Sequence, residues 1–360
     1  MDAILNVSSS SLPKLQCPAI NTARYDELTV TGSPPMLDYF FALDLRQALP
    51  LLPLLIGSIV EAIKYLGPKR CALSIVEGHS SDGTADVLAA LKPALDGMGI
   101  SYHFKSSDID PSQGERVARL AQLRNIALEP LTDFPSDKET HPHPNTTVVF
   151  LNDVSICAED ILELVYQRRA LAADMTCAMD WTYVGNDPTF YDVWIARNLN
   201  GDSFFDIPPD GSWNSAWNLF WNAEETQTRF FNKVPFQVFS CWNGASAFTA
   251  QPLLDHAVRF RAANETAGEC RQGEPQLFCK DLWFNGYRKI AVVPSVNLEY
   301  SVEKGKLIKE AKGFTSDTVS TQDSAGDHIE WRLDPPEKVK CMPSWENQFW
   351  QLWNETLKRR

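Results

Sequence analysis

A single aspartate, Asp153, ends the apolar run VVFLNDV, and Asn152 precedes it. A carboxylate at the end of a buried strand can hold a divalent metal ion, which neutralises the charge that develops on a diphosphate leaving group. Such metals accept oxygen ligands, so one carboxylate can suffice together with phosphates and waters. The alternative is structural, because Asn-Asp after a strand also forms an ordinary turn. We predict Asp153 as the metal ligand, with Asn152 either contributing an amide oxygen or holding the turn.

The turn EGHSSDGT follows a predicted strand and opens a predicted helix. Ser81 or Asp82 can cap that helix and Gly83 permits tight geometry, which is the structural interpretation. An acid followed by such a turn also suits a nucleotide, because the acid can bind the base or ribose while backbone N–H groups face the phosphates. We predict ligand contacts at Glu77, Ser80 and Asp82.

Arginines recur along the amphipathic segment GERVARLAQLRNIALEPL, which predicts a helix. Arg116 and Arg119 share a face, so one of them can bind a diphosphate through two parallel hydrogen bonds. The alternative is that these arginines form exposed salt bridges. We predict contacts with the phosphorylated ligand at Arg119 and Arg124.

Two carboxylates, Glu274 and Asp281, stand seven residues apart in GECRQGEPQLFCKDLWFNGY and therefore share a face if the segment is helical. A carboxylate at the start of such a helix can orient a hydroxyl or accept its proton. The alternative is a capped helix, because Glu-Pro is also a favourable helix entry. Cys270 and Cys279 in the same segment can form a disulfide or stay as buried thiols.

The segment CWNGASAF joins Trp242 and Asn243 to Gly244, a small residue that allows close approach. It can line a sugar pocket or form a packed turn. Residues 180–250 are rich in aromatic side chains, which stack on sugar rings or simply pack together. The predicted contacts here are Asp180, Trp242, Asn243 and Gly244.

These residues must be positioned by alternating strands and helices. From residue 39 to residue 172 the pattern is βαβαβαβα, which predicts an α/β fold with a mostly parallel sheet covered by helices on both faces. Ligands of such sheets bind beyond the carboxyl ends of the strands. Asp44 and Arg46 at the end of the first strand therefore join the predicted ligand contacts.

The chain divides into four predicted parts. A polar, poorly ordered leader covers residues 1–37, and residues 38–180 form the nucleotide-binding half. Residues 181–345 form a loop-rich second half of the same domain, and residues 346–360 form a C-terminal helix. The lysine-rich segment EKGKLIKEAKG is predicted as a solvated surface or a mobile loop.

Composition excludes several classes of protein. The 360 residues carry a net charge of −13, which argues against nucleic acid as a partner. No segment is long and apolar enough to span a membrane, and the start lacks the pattern of a secretion signal. Eight cysteines without a CxxC pair are too scattered to predict a disulfide scaffold, whereas four glycosylation sequons, at Asn6, Asn145, Asn264 and Asn354, favour a lumenal compartment.

Together the motifs resemble the fungal capsule-associated α-1,3-mannosyltransferases, glycosyltransferase family sixty-nine. The resemblance rests on VEGHSSDGT, RLAQLRNIAL, VVFLNDVSICAEDILEL, CAMDW, FYDVWIARNLNGD, VFSCWNGASAF, LFCKDLW and VVPSVNLEYS. It runs from about Tyr39 to PPEKVKCMPSWENQFW and so covers nearly the whole chain. The chain departs from the family in reading Asp-Leu-Arg-Gln-Ala after its first strand, where the family pattern has Asn-Leu.

The resemblance implies a GT-A type fold, GDP-mannose as donor, a divalent metal (manganese) and transfer to a mannose-containing acceptor. It also implies a Golgi type II membrane protein, although no N-terminal anchor is visible in this sequence. An α donor and an α product mean retention, so Glu274 and Asp281 are predicted to position the acceptor or stabilise positive charge. The alternatives are another nucleotide-sugar donor, or a non-catalytic glycan-binding or scaffold relative. The full set of predicted donor contacts is Asp44, Arg46, Glu77, Ser80, Asp82, Arg119, Arg124 and Asn152, and the acceptor contacts are Asp180, Trp242, Asn243 and Gly244.

Overall fold

A computed structural model of the protein describes residues 2–5, 15–30, 36–133, 141–321 and 327–357. Within these residues the strands are β1 (Leu37–Leu45), β2 (Cys71–Gly78), β3 (Ser101–Ser107), β4 (Pro142–Leu151), β5 (Met175–Val184), β6 (Asp187–Phe190), β7 (Arg197–Asn198), β8 (Phe236–Ser240), β9 (Ala245–Thr249), β10 (Ile290–Leu298), β11 (Lys338–Cys341) and β12 (Phe349–Leu352). The helices are α1 (Asp2–Leu5), α2 (Thr22–Tyr25), α3 (Leu52–Leu66), α4 (Thr84–Ala90), α5 (Lys92–Gly97), α6 (Arg116–Thr132), α7 (Ala158–Ala170), α8 (Glu224–Phe231), α9 (Gln251–Leu254), α10 (Glu274–Phe284), α11 (Val302–Lys312) and α12 (Thr315–Val319).

One large sheet has the strand order β3-β2-β1-β4-β9-β5-β10-β8-β7, and β6 pairs with β5 beside it. Strands β1 to β4 are mutually parallel. Strand β9 runs antiparallel between β4 and β5, so β5 and its parallel neighbour β10 point in the same direction as β1 to β4. The predicted α/β class, with a mostly parallel central sheet flanked by helices, is confirmed.

The two faces of the sheet carry separate hydrophobic cores, because successive side chains of a strand point to opposite faces. In β1, Phe40 and Ala42 belong to the core that includes α6. Phe41 and Leu43 belong to the core that includes α3 and α7. These apolar side chains are fully buried, which fixes the register of the strand and so the position of Asp44 near its carboxyl end.

The predicted poor order of the leader is wrong for residues 15–30. Tyr25 and Leu28 are fully buried, and the Tyr25 hydroxyl donates a hydrogen bond of 3.0 Å to the Glu163 carboxylate on α7. Arg24 forms an ion pair of 2.7 Å with the same carboxylate. The polar residues of this segment therefore bind α7, and the remaining leader residues 6–14 and 31–35 lie outside the described part of the chain.

Two other segments also differ from prediction. Residues 349–352 form strand β12, paired antiparallel with β11, instead of a helix, because the aromatic Phe349-Trp350 stretch fits a hairpin better than a helix. The lysine-rich segment forms helix α11, and one of its lysines is buried: the Lys309 ammonium lies 2.8 Å from both carboxylate oxygens of Asp160.

Six of the eight cysteines form disulfides, so the prediction that they were too scattered is wrong. The bonds join Cys17 to Cys157, Cys177 to Cys241 and Cys270 to Cys341. Their partners are separated by 140, 64 and 71 residues, so only the fold brings them together. Cys279 stays a buried free thiol, which settles the alternative left open for Cys270. Across the described ranges, no helix has the length and apolarity needed to cross a bilayer.

Candidate active site

A cavity of about 890 Å³ lies at the carboxyl ends of β1 and β4, where the parallel sheet predicts a ligand site. Its polar wall contains side chains from β1, the turn after β4, helix α6 and the start of α10, namely Asp44, Asn152, Asp153, Arg116, Arg124 and Glu274. The structure therefore gathers six charged or amide side chains that are scattered along the sequence.

Arg124 is the centre of this polar wall. Its Nε donates a hydrogen bond of 2.8 Å to the Glu274 carboxylate. Its Nη1 lies 3.8 Å from an Asp44 carboxylate oxygen and 3.4 Å from the Asn152 amide oxygen. The Trp242 indole N–H donates to that same amide oxygen at 3.0 Å. Arg124 thus fixes the side chains of both strand ends against the start of α10.

Aromatic rings surround the Arg124 guanidinium. The ring centres of Trp242, Phe150 and Phe260 lie 4.7, 5.1 and 5.6 Å from its central carbon, within the range of cation–π attraction. Burial alone would lower the pKa of Arg124, but the carboxylates of Asp44 and Glu274 outweigh it and raise that pKa. Burial also raises the pKa of Asp44, to about 6.

Asp153 extends into the same cavity from the turn after β4. Asp153 and Arg116 are the exposed members of the polar wall, and no side chain in the described ranges donates a hydrogen bond to the Asp153 carboxylate. The cavity walls nevertheless raise its pKa by desolvation. The adjacent Asn152 backbone N–H is bound by the Gly244 carbonyl at 2.9 Å, so the turn is fixed while its carboxylate is available to a ligand.

Two further arginines lie in the lining of the cavity. Arg46 lines it and pairs with Asp110 at 3.1 Å, while its buried Nε has no hydrogen-bond partner among the described residues. Arg116 lines it as well. Arg119, which was the predicted ligand contact on this face of α6, does not, because its guanidinium packs beside Gly114. The arginine of this helix face that lines the cavity is thus Arg116, one helical turn before the predicted Arg119.

Glu77 and Ser80, predicted to contact a donor, lie outside the cavity lining. The Glu77 carboxylate is buried and accepts hydrogen bonds from the Ser80 backbone N–H and, at 2.9 Å, from the Ser106 hydroxyl. The Ser80 hydroxyl accepts a hydrogen bond of 2.9 Å from the backbone N–H of Gln47. Both residues therefore support the loop that carries Arg46.

Asp82 has the same kind of supporting role. Its carboxylate accepts hydrogen bonds of 3.0 Å from the backbone N–H groups of Leu49 and Thr84. These bonds join the turn after β2 to the loop after β1 and lower the pKa of Asp82 despite partial burial. The structural interpretation of the Ser-x-Asp-Gly-Thr turn accounts for these contacts.

Glu274 and Asp281 do not act at one site. Glu274, in the first turn of α10, lines the cavity. Asp281, two turns further on, lies outside the lining, where its carboxylate is bound by the Arg261 guanidinium at 2.7 and 2.8 Å. Arg261 also binds Glu269, as does Lys280 at 2.7 Å. Asp281 is therefore part of a buried ion network, and its predicted catalytic role stays a prediction that its position outside the cavity lining does not support.

The four predicted acceptor contacts also separate. Trp242 lines the cavity. Asn243 and Gly244 are buried in a left-handed turn, with φ of 52° and 79°, and a Cβ on Gly244 would lie 3.0 Å from Val154. Asp180 is fully buried beneath this turn. These three residues shape the wall, and the packed-turn interpretation accounts for them.

Two residues of the cavity wall, Asp192 and Tyr300, were missed from the sequence. Asp192 lines the cavity, and one of its carboxylate oxygens accepts a hydrogen bond of 2.9 Å from the Asn243 backbone N–H. Burial raises its pKa to about 6. Desolvation and the nearby Asp192 also raise the pKa of Asp180, whose carboxylate accepts a hydrogen bond of 2.6 Å from the Tyr300 hydroxyl in the cavity wall. The signal available was that these residues fall in the conspicuous segments FYDVW and NLEYS.

Comparison with known proteins gives one family. The sequence profile described as "Cryptococcal mannosyltransferase 1" matches residues 38–281. The chain is 36% identical over 341 residues to "Alpha-1,3-mannosyltransferase CMT1" of Cryptococcus neoformans, covering 88% of this chain and 72% of that protein.

Solved structures with a comparable arrangement are more distant. Mannosyltransferase PcManGT from Pyrobaculum calidifontis, in complex with GDP-Man and Mn²⁺, has a TM-score of 0.42 at 11% identity, covering 77% of this chain and 62% of that chain. S. aureus TarS 1–349 has a TM-score of 0.41 at 12% identity, covering 73% of this chain and 60% of that chain. The chain thus spans less than two thirds of the length of either solved structure.

Proposed function

Because the chain belongs to the cryptococcal mannosyltransferase 1 family and is a glycosyltransferase, we propose that it transfers mannose from GDP-mannose to a mannose-containing acceptor, forming an α-1,3 linkage with retention. The observation that carries this proposal is the cavity at the ends of β1 and β4, where the unpaired Asp153 carboxylate lies with Arg46 and Arg116. A carboxylate for a metal and two cations for phosphates are what a nucleotide diphosphate requires.

The residues of the cavity fit a divalent cation whose ligands would come mainly from the diphosphate of the substrate. No cluster of three or more His, Cys, Asp or Glu side chains with metal-binding geometry occurs in the described ranges, and we assign the protein's contribution to one carboxylate, Asp153. Asp153 suits this role because no side chain among the described residues donates a hydrogen bond to its oxygens. When bound, Mn²⁺ would neutralise the charge that develops on the departing diphosphate. The buried Nε of Arg46 offers a further donor to a phosphate oxygen.

Retention requires no strong general base, because the departing phosphate can take the acceptor proton on the face from which it leaves. Glu274 is then a positioning carboxylate, aligned by Arg124 at 2.8 Å, that can accept a hydrogen bond from a sugar hydroxyl. Asp192, in the same wall, places negative charge where an oxocarbenium-like sugar would develop positive charge. The chemistry assigned to this chain is therefore orientation and charge stabilisation.

The three disulfides support a lumenal location in the secretory pathway, including the Golgi. Disulfides persist in oxidising compartments and are rare in the cytosol. The sequon residues Asn145 and Asn264 are exposed and Asn354 is half-buried, so the fold leaves at least two acceptor asparagines accessible. Asn6 lies outside the described residues.

The experiment is a donor panel on the purified chain with Mn²⁺ and a mannoside acceptor. We expect turnover of GDP-mannose and little turnover of UDP sugars, with the α anomer identified by NMR of the product. Selective turnover of a UDP sugar would replace the donor assignment. A folded sample that turns over no nucleotide sugar would favour the non-catalytic alternative, and a β-linked product would overturn retention.

A further inference from the structure

Three tryptophans form one aromatic surface in the cavity wall, here called the tryptophan platform (Trp194, Trp213 and Trp345). Trp194 and Trp345 stack with ring centres 3.8 Å apart and planes inclined by 25°. Trp213 meets Trp345 edge-on, with centres 6.4 Å apart. Trp194 and Trp213 line the cavity. The three tryptophans come from separate segments of the sequence, so the surface exists only in the folded chain.

The platform is not an ordinary part of the core. Trp181, Trp242 and Trp283 are at most 2% exposed, whereas Trp194 is 36% exposed although Trp345 covers one of its faces. An indole that is stacked on one side and open on the other presents apolar area to a cavity whose remaining wall is charged. Such a combination of apolar area and a few polar groups is typical of a ligand pocket.

The platform is also held rigidly from behind. The Gly211 backbone, with φ of 74°, packs so closely on Trp345 that a Cβ would lie 2.7 Å from the indole. The Gln348 amide donates hydrogen bonds of 2.7 Å to the Trp345 carbonyl and 3.0 Å to the Ile207 carbonyl. The Cys270–Cys341 disulfide ties together the two rim segments that flank it. Binding a ring here therefore requires little ordering of the protein.

The position of the platform identifies which part of the substrates it meets. Gly273 packs directly against Ile195, so the segment that carries Glu274 lies beside the segment that carries Trp194. The expected phosphate ligands, Arg46 and Asp153, come instead from the ends of β1 and β4. The platform thus adjoins the carboxylate that we assign to the acceptor hydroxyl.

We propose that the tryptophan platform is an acceptor subsite that stacks on the apolar C–H face of a pyranose ring. Arg271 and Gln272, which line the adjoining rim, supply polar groups for the ring's hydroxyls. This inference rests on the proposed function for the identity of the sugar, a mannoside. A cavity of about 890 Å³ lies near the upper end of the size usual for small-molecule pockets, which leaves room for an acceptor beside a donor.

The test compares Trp194→Ala and Trp194→Phe with Trp217→Ala, which removes a tryptophan that is 81% exposed outside the cavity. With α-linked mannobiose as acceptor, we expect Trp194→Ala to raise the acceptor KM by roughly tenfold, several times more than it raises the GDP-mannose KM. Trp194→Phe should recover most of the acceptor affinity, and Trp217→Ala should match the wild type. A larger effect on the GDP-mannose KM would overturn the acceptor assignment and place the donor on the platform.

Binding without turnover separates this inference from the proposed function. Saturation-transfer NMR with mannobiose alone should show contact of its ring protons in the wild type and in Trp217→Ala, and a loss of that contact in Trp194→Ala. If GDP-mannose is not turned over but this signal appears, the donor assignment fails and the subsite stands. If GDP-mannose is turned over and mannobiose contacts are equal in all variants, the platform is not an acceptor subsite. Thermal melting establishes that each variant is folded.

Discussion

The side chains of Arg124 and Glu274, 150 residues apart in the sequence, meet at 2.8 Å in the wall of the cavity. The guanidinium is enclosed by aromatic rings and also faces Asp44 at 3.8 Å. An enclosed cation between two carboxylates neutralises them and fixes their direction, which exposed side chains cannot do. The contact therefore joins helix α6 to the start of α10.

Removing the cation is expected to destabilise the fold. Arg124→Met leaves the Asp44 and Glu274 carboxylates in a desolvated wall without a partner, so the free energy of unfolding at pH 7.5 should fall by about 3–5 kcal/mol. Arg124→Lys keeps the positive charge but loses the planar stacking on the aromatic rings, so its free energy of unfolding should fall by less. Urea denaturation measures both changes. A methionine variant as stable as the wild type would contradict the assigned role.

Asp153 should matter for activity and not for folding. In the described residues no side chain donates to its carboxylate, and desolvation raises its pKa, so Asp153→Asn should have a free energy of unfolding at pH 7.5 equal to that of the wild type or slightly higher. In the wild type, Mn²⁺ with GDP should raise the melting temperature. The variant should show no such rise, and its kcat/KM should be lower by at least about 100-fold. Asp187→Asn changes an exposed aspartate on β6 and serves as the control. An undiminished metal response in Asp153→Asn would exclude this residue as the ligand.

Asp192 should make stability depend on pH in a defined direction. Burial raises its pKa from 3.8 to about 6, so the folded state binds this proton more tightly than the unfolded state. Its unfavourable contribution is therefore absent below about pH 4 and grows until the pH passes about 6. Asp192→Asn should raise the free energy of unfolding at pH 7.5 by about 1–3 kcal/mol, with the gain vanishing near pH 4. Urea denaturation across this range checks the sign, and a variant less stable than the wild type at pH 7.5 would refute it.

The buried pair of Lys309 and Asp160 should be essential for stability. The Asp160 carboxylate also accepts a hydrogen bond of 2.5 Å from the Thr315 hydroxyl, and both charged residues are at most 2% exposed. Lys309→Met leaves this carboxylate buried without a cation, at a cost of about 3–5 kcal/mol. Lys306→Met changes an exposed lysine on the same helix and should stay within about 0.5 kcal/mol of the wild type. Equal stability of the two variants in denaturant would show that the pair contributes nothing.

The sequence predicted those site residues whose positions depend on a local pattern, namely the end of a buried strand. Asp44 lies at the carboxyl end of β1, Asn152 and Asp153 directly follow β4, and the ends of such parallel strands meet at one edge of the sheet. The serine turn could not be assigned in the same way, since a capping Asp82 and a ligand-binding Asp82 have the same local sequence. Arg116 and Arg119 lie on one helix face, and only tertiary packing decides which of them enters the cavity.

The residues that were missed depend on long-range pairing. Asp192 and Trp194 follow β6, whose direction is set by its antiparallel pairing with β5. Tyr300 follows β10, which pairs with a strand more than a hundred residues earlier in the chain. No periodicity within these short segments indicates which cavity they reach. The disulfide partners were unpredictable for the same reason.

The Cys270–Cys341 bond also limits when the rim of the cavity can be closed during synthesis of the chain. At about 5–20 residues per second, a ribosome adds Cys341 roughly 4–14 s after Cys270, because 71 residues separate them. During that interval the Cys270 thiol is open to the wrong cysteine, while Cys177 and Cys241 are already available to each other. Cys341 is the last of the six paired cysteines in the sequence, so the bond at the rim beside Glu274 is the last of the three that synthesis allows to form.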